Sequence, residues 1–130
     1  MVVVVGLVLV GFAALVHVYV FYLESIAWER ESTRRTFRVR TPEEAAATKV
    51  LAFNQGFYNL FLAIATALGI VFVAAGSTVI GATLVYVGAG SMVAAGLVLL
   101  LSRPANARAA IIQLGPPLLG VLALAIGLAS

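Results

Sequence analysis

Ten of the thirteen formally charged side chains of this 130-residue chain fall between Trp28 and Lys49, and outside that stretch the sequence is a set of long apolar runs. Met1 to Ala27 contains no Lys or Arg and is almost unbroken Val, Leu, Ala, Gly and aromatic residues. At 1.5 Å per residue it measures about 40 Å, enough to cross a hydrocarbon layer of roughly 30 Å. A soluble domain is excluded by composition as well. Charged residues are 10% of the chain and hydrophobic ones 63%, whereas soluble domains carry about 25% and 45–50%.

The pattern predicts an all-α polytopic membrane protein, a four-transmembrane-helix bundle forming one domain over residues 1–130. Its spans are expected at about 2–27, 50–75, 79–101 and 111–128, with charged loops at 28–49 and 102–110. The first run reads as a retained helix and not as a cleaved secretory signal, because no Lys or Arg precedes it and no small-x-small pattern ends it. Thr41 before Pro42, followed by Glu43 and Glu44, has the form of an N-cap, a first-turn proline and acids against the helix dipole. The second helix is therefore expected to start near Pro42 and to run on into the membrane. Ala75-Gly76-Ser77-Thr78 reads as an uncharged turn. Gly81, Gly88, Gly90, Ala94, Ala95 and Gly96 suit close packing of the third span, and Pro116 with Pro117 predicts a kink or a delayed start in the fourth.

All eight Lys and Arg residues lie in the two charged loops: Arg30, Arg34, Arg35, Arg38, Arg40 and Lys49 in the first, Arg103 and Arg108 in the second. Retained cationic loops set orientation. Both termini are thus expected outside and both loops in the cytoplasm, in the cell (plasma) membrane. The net charge of +3 has the bilayer as its partner and no nucleic acid, since four of the five acids share the first loop with most of the bases. No cysteine is present, which removes disulfides, thiol nucleophiles and thiolate metal sites. One histidine and one nearby acid are too few for a metal site, so no metal and no cofactor is expected.

His17 and Glu24 are the ionisable side chains left inside an apolar span, and an acid there costs about 2.5–3.5 kcal/mol on insertion scales. His17, Phe21, Glu24 and Trp28 are spaced i, i+4, i+7, i+11 and share one helical face, which should point inward. Counting back from Trp28 puts Glu24 about 6 Å deep and His17 about 16 Å deep. Asn54, Gln55, Tyr58 and Asn59 open the second span, and Gln113 lies about one turn into the fourth. Tyr19, Tyr22 and Trp28 suit an interfacial aromatic belt. Two readings follow for His17, Tyr19, Glu24, Trp28, Asn54, Gln55, Tyr58, Asn59 and Gln113. One is a pocket near the cytoplasmic face, in a small-molecule binding or transport module. The other is interhelical packing in a structural or accessory subunit that meets a membrane-protein partner or its own copy. An intramembrane enzyme using His17 and Glu24 as acid and base stands behind both, and no catalytic residue is assigned. Ligand, pathway and oligomeric state have no signal in the sequence.

The run HVYVFYLESIAW ending the first span, the basic loop containing Phe37, NQGFYNLFLA opening the second span and the Gln-x-x-Pro element from Gln113 to Pro116 together resemble one family. It is domain of unknown function 1304, a family of small four-helix integral membrane proteins, mostly bacterial and also fungal. The resemblance covers nearly the whole chain, with the NQGFYN run its most specific motif. Its pattern falls on His17, Tyr19, Glu24, Trp28, Phe37, Asn54, Gln55, Gly56, Tyr58, Asn59, Phe61, Gln113 and Pro116. It implies the four-helix architecture and no activity. The third span and the SRPANARAA loop depart from the usual pattern.

Overall fold

The computed structural model describes residues 1–130. Helix α1 (Val2–Phe21) continues into a π-helical turn (Tyr22–Ile26), followed by α2 (Glu31–Phe37), α3 (Pro42–Ala74), α4 (Thr78–Ser102), a 3₁₀ turn (Pro104–Asn106) and α5 (Ala107–Ala129). Strands are absent. Four helices are long and apolar enough to cross a membrane: α1 with its π turn, α3, α4, and α5 with its 3₁₀ turn. They form a four-helix bundle in which α1 and α4 each pack against α3 and α5.

Glycines set how close these helices come. A Cβ added to Gly6 would lie 2.7 Å from the Leu124 nitrogen, and one added to Gly69 would lie 2.7 Å from the Gly81 oxygen. Backbones this near leave no room for larger residues, which is how apolar helices associate where solvent supplies no hydrophobic drive. The third span, α4, places Gly81, Gly88 and Gly96 in such contacts, whereas Gly90 has open space around it and Ala94 and Ala95 are exposed. Val10, Val85, Ala89 and Leu124 make the central cluster. Larger side chains, among them Val4, Val8, Phe12, Leu15, Leu68 and Ile126, point outward, the reverse of a soluble protein and the arrangement a lipid solvent favours. On that outer surface the hydroxyls of Thr83 and Ser91 donate to the carbonyls one turn back, at 2.8 and 2.6 Å.

The hydrophilic stretch 28–49 is more ordered than a loop. Helix α3 starts at Pro42 as its cap signals predict, with the Glu44 N–H donating to Thr41 Oγ1 at 3.1 Å and the Arg40 N–H donating to the Glu44 carboxylate at 2.9 Å. At 33 residues it measures about 50 Å, so its first turns stand clear of a hydrocarbon layer of roughly 30 Å. Helix α2 was not legible beforehand. An ion pair between Glu31 and Arg35 and a left-handed turn at Arg38, φ 59°, hold its seven residues. Helix α5 begins at Ala107 and continues through Pro116 and Pro117, so of the expected kink or delayed start the delayed start does not occur. The two prolines are adjacent, so the missing N–H groups fall in a single turn and the ladder resumes on either side.

The alternation of helices gathers the end of α1, α2, the start of α3 and the α4–α5 connection at one end of the bundle. All eight cations therefore sit there. Met1, Ser130 and the Ala75–Ser77 turn lie at the opposite, uncharged end.

Candidate functional site

Helix α1 changes pitch as it nears the charged end. In the π turn the hydrogen bonds skip a residue, and the Ala27 N–H reaches the Tyr22 carbonyl at 2.9 Å. Widening the turn brings consecutive side chains somewhat closer in angle than the 100° per residue of an α-helix. Within this turn Glu24 and Ser25 both meet α3. The Asn59 side-chain amide donates to Glu24 Oε2 at 2.8 Å, and Ser25 Oγ donates to the Phe53 carbonyl at 2.9 Å. Gly56 sits between them. A Cβ there would collide with Ser25 Oγ and lie 3.1 Å from Glu24 Cβ, so glycine is what allows α3 this close.

Trp28 follows the turn and does more than mark an interface. Its indole N–H donates to the Ala45 carbonyl at 3.0 Å and approaches Thr48 Oγ1 at 3.3 Å, and its ring packs 5.3 Å from that of Phe37. It thus ties the end of α1 to α2 and to the first turns of α3. Beside it Arg30 donates to the Tyr22 hydroxyl at 2.8 Å, and Lys49 pairs with Glu29.

Glu24 is 7% exposed and lines a cavity of about 110 Å³ together with Ser25, Ile26, Ala27, Trp28, Glu29, Arg30, Lys49 and Phe53. Ligand pockets typically measure about 300–1,000 Å³; this one has the volume of three or four waters, at roughly 30 Å³ each. Four groups of charge meet at it, two acidic and two basic. No three His, Asp or Glu side chains converge in the chain; the polar lining of the cavity offers hydrogen bonding and charge.

The residues singled out from the sequence divide. Glu24 and Asn59 are brought together, with Trp28 beside them. His17 is 3% exposed and donates from Nδ1 to the Ala13 carbonyl at 2.9 Å, within its own helix. Contacts pairing Gly6 with Leu124, Val10 with Gly120 and Val3 with Gly127 set an antiparallel register that puts His17 level with Gln113, which is half-buried. Asn54, Gln55 and Tyr58 are exposed on the outer side of α3, where Asn54 and Tyr58 join Phe57 and Phe61 around an open hollow of about 310 Å³. Tyr19 is also exposed, stacked 6.4 Å from Tyr22. Sequence reasoning passed over Ser25, Phe53, Glu29, Arg30 and Lys49. Ser25 follows Glu24 directly and by α-helical spacing belongs to another face, and the other four come from two segments, the residues after the π turn and the first turns of α3, that only the tertiary structure brings together.

The model of the family described as protein of unknown function DUF1304 matches residues 11–125. No curated protein and no solved structure matches the chain.

Proposed function

The chain belongs to the DUF1304 family, and we propose that it is a membrane-embedded binding module that takes a small polar or amphipathic molecule in the cavity beneath Trp28. One observation carries this reading. Glu24, buried at the end of a membrane-spanning helix, commits one carboxylate oxygen to Asn59 and lines the cavity, so the cost of burying an acid is only partly offset within the chain. Backbone contacts such as Gly69 on Gly81 close the other half of the bundle, which favours binding over passage across the membrane. By the charge asymmetry of its loops the protein lies in the cell membrane with both termini outside and the cavity at the cytoplasmic face.

The test is ligand-dependent stabilisation of the purified protein in detergent, screened with small amines and short-chain amphiphiles. A hit that raises Tm for the parent and for Asn54→Ala, but for neither Glu24→Gln nor Asn59→Ala, is the expected outcome. Stabilisation that survives Glu24→Gln would sink the reading.

The exposure of Asn54, Gln55 and Tyr58 on α3 favours a second reading, an accessory subunit whose outer α3 face docks a membrane partner or another copy. Its mark is a co-purifying protein, or a self-associated species, lost in Asn54→Ala with Tyr58→Ala while Glu24→Gln retains it.

A further inference from the structure

The lining of the cavity runs from an acid at depth to bases at the surface. Glu24 is largely buried and gives Oε2 to Asn59, while its second carboxylate oxygen bonds nothing in the chain and is open to the cavity it lines. A carboxylate held in a partly apolar recess with one oxygen open to it attracts a group that carries positive charge and donates hydrogen bonds. Arg30 and Lys49 line the same cavity and are exposed. Lys49 is neutralised by Glu29, whereas Arg30 bonds the uncharged Tyr22 hydroxyl and keeps its charge for an anion. The side wall is apolar. Ile26 and Phe53 belong to it and are 63% and 46% exposed, continuing into the outer surface that lipid covers.

We propose that the cavity holds the headgroup of a phospholipid bearing a primary ammonium. The ammonium sits on Glu24, the phosphate faces Arg30, and the acyl chains lie along Ile26 and Phe53. This rests on the cavity's being the binding site, as proposed above, and names what it takes. Size agrees. A volume of about 110 Å³ accommodates about four non-hydrogen atoms at a water's share of roughly 30 Å³ each, which is an ethanolammonium group with its phosphate left at the opening. A trimethylated headgroup is bulkier and has no N–H to donate to Glu24. A purely anionic headgroup would place its charge against that carboxylate. Trp28, its indole N–H already spent on Ala45, offers the cavity a ring wall that tolerates a cation.

The experiment equilibrates the purified full-length protein in detergent with equimolar phosphatidylethanolamine, phosphatidylcholine and phosphatidylglycerol, and counts retained lipid by native mass spectrometry. Phosphatidylethanolamine should exceed phosphatidylcholine by about tenfold, the value of one charge-assisted hydrogen bond. Glu24→Gln should bring the two to parity. Should Glu24→Gln fail to fold by gel filtration, the exposed Arg30→Gln carries the test, and unchanged retention of phosphatidylethanolamine in it overturns the proposal. Parity of the two lipids in the parent overturns it as well, and so does a preference for phosphatidylglycerol. Free O-phosphoethanolamine separates the sources. If it raises Tm in a Glu24-dependent way while the lipid is not retained, the lipid assignment falls and the binding reading stands; if none of these compounds binds, the lipid assignment falls and the binding reading is decided by its own screen of amines and amphiphiles.

Discussion

The chain turns through a left-handed residue at the end of α2 and again at the end of α3, with the same hydrogen bonds and different occupants. After α3 it is Gly76, φ 87°, and the Ser77 N–H returns to the Phe72 carbonyl at 2.9 Å. After α2 it is Arg38, φ 59°, and the Val39 N–H returns to the Arg34 carbonyl at 2.9 Å. Both are helix-ending motifs in which glycine is the usual residue. The contrast extends to the two ends of the bundle that these turns belong to. Toward the uncharged end the helices meet backbone to backbone, Gly6 on Leu124 and Gly69 on Gly81. At the charged end, where Gly56 also brings α3 close, they are held in addition by side chains: Asn59 on Glu24, Ser25 on Phe53 and Trp28 on Ala45. Closing an end by omitting side chains leaves nothing to bind with. Closing it with polar side chains leaves room and unspent hydrogen-bonding capacity, and the cavity lies there.

The contrast breaks most visibly at the glycines. An added Cβ at Gly81 would lie 2.7 Å from the Gly69 carbonyl oxygen, and backbone cannot step aside as a side-chain tip can. Gly81→Ala should cost about 3 kcal/mol or prevent folding, the upper range for overpacking. Gly90, in the same helix, has nothing within 4 Å, so Gly90→Ala should stabilise by up to about 1 kcal/mol through helix propensity. Denaturation in mixed micelles reads both, and equal effects would refute backbone-to-backbone closure.

Smaller effects are expected where side chains do the holding. Trp28→Phe keeps a ring against Phe37 but removes the donor to Ala45, for a loss of about 1–1.5 kcal/mol. Thr41→Ala removes the cap of α3 and should cost about 1 kcal/mol. Hydrogen exchange locates both losses. Protection should fall in α2 and the first turns of α3 and stay unchanged around Gly69 and Gly81; a uniform fall would mean the two ends are not held independently.

The four spans were legible because hydropathy over a helix length is a one-dimensional signal, and the start of α3 because Thr41, Pro42, Glu43 and Glu44 are local signals. What could not be read was pitch. Glu24 and Ser25 are about 100° apart at 3.6 residues per turn, so spacing alone assigns only one of them to the face of His17, and the π turn at Tyr22–Ile26, where both meet α3, has no local signal in the sequence. The same limitation explains Asn54, Gln55 and Tyr58. Amides and a phenol near a span's start argue for a buried network only if their side chains turn inward, and on α3 these three turn outward. Asn59, one turn further in, is the amide that finds the buried acid. Helix α2 had no apolar period to reveal it, since it is stabilised by the Glu31–Arg35 pair and by its terminal turn.

The smallest effect returns to Arg38. A side chain in the left-handed region costs roughly 1–2 kcal/mol, and glycine relieves that while adding about 0.4–1 kcal/mol of freedom to the unfolded chain. Arg38→Gly should therefore stabilise by up to about 1 kcal/mol, making the α2 turn equivalent to the one at Gly76. The sign is informative because the ion pairs of this chain, Arg35 with Glu31 and Lys49 with Glu29, leave Arg38 without a carboxylate. With no partner to lose, the substitution reports backbone strain alone. A destabilised Arg38→Gly would require a contact made by the guanidinium outside the chain, and repeating the measurement in uncharged and in anionic micelles decides it: a loss confined to the anionic ones assigns that contact to the membrane surface.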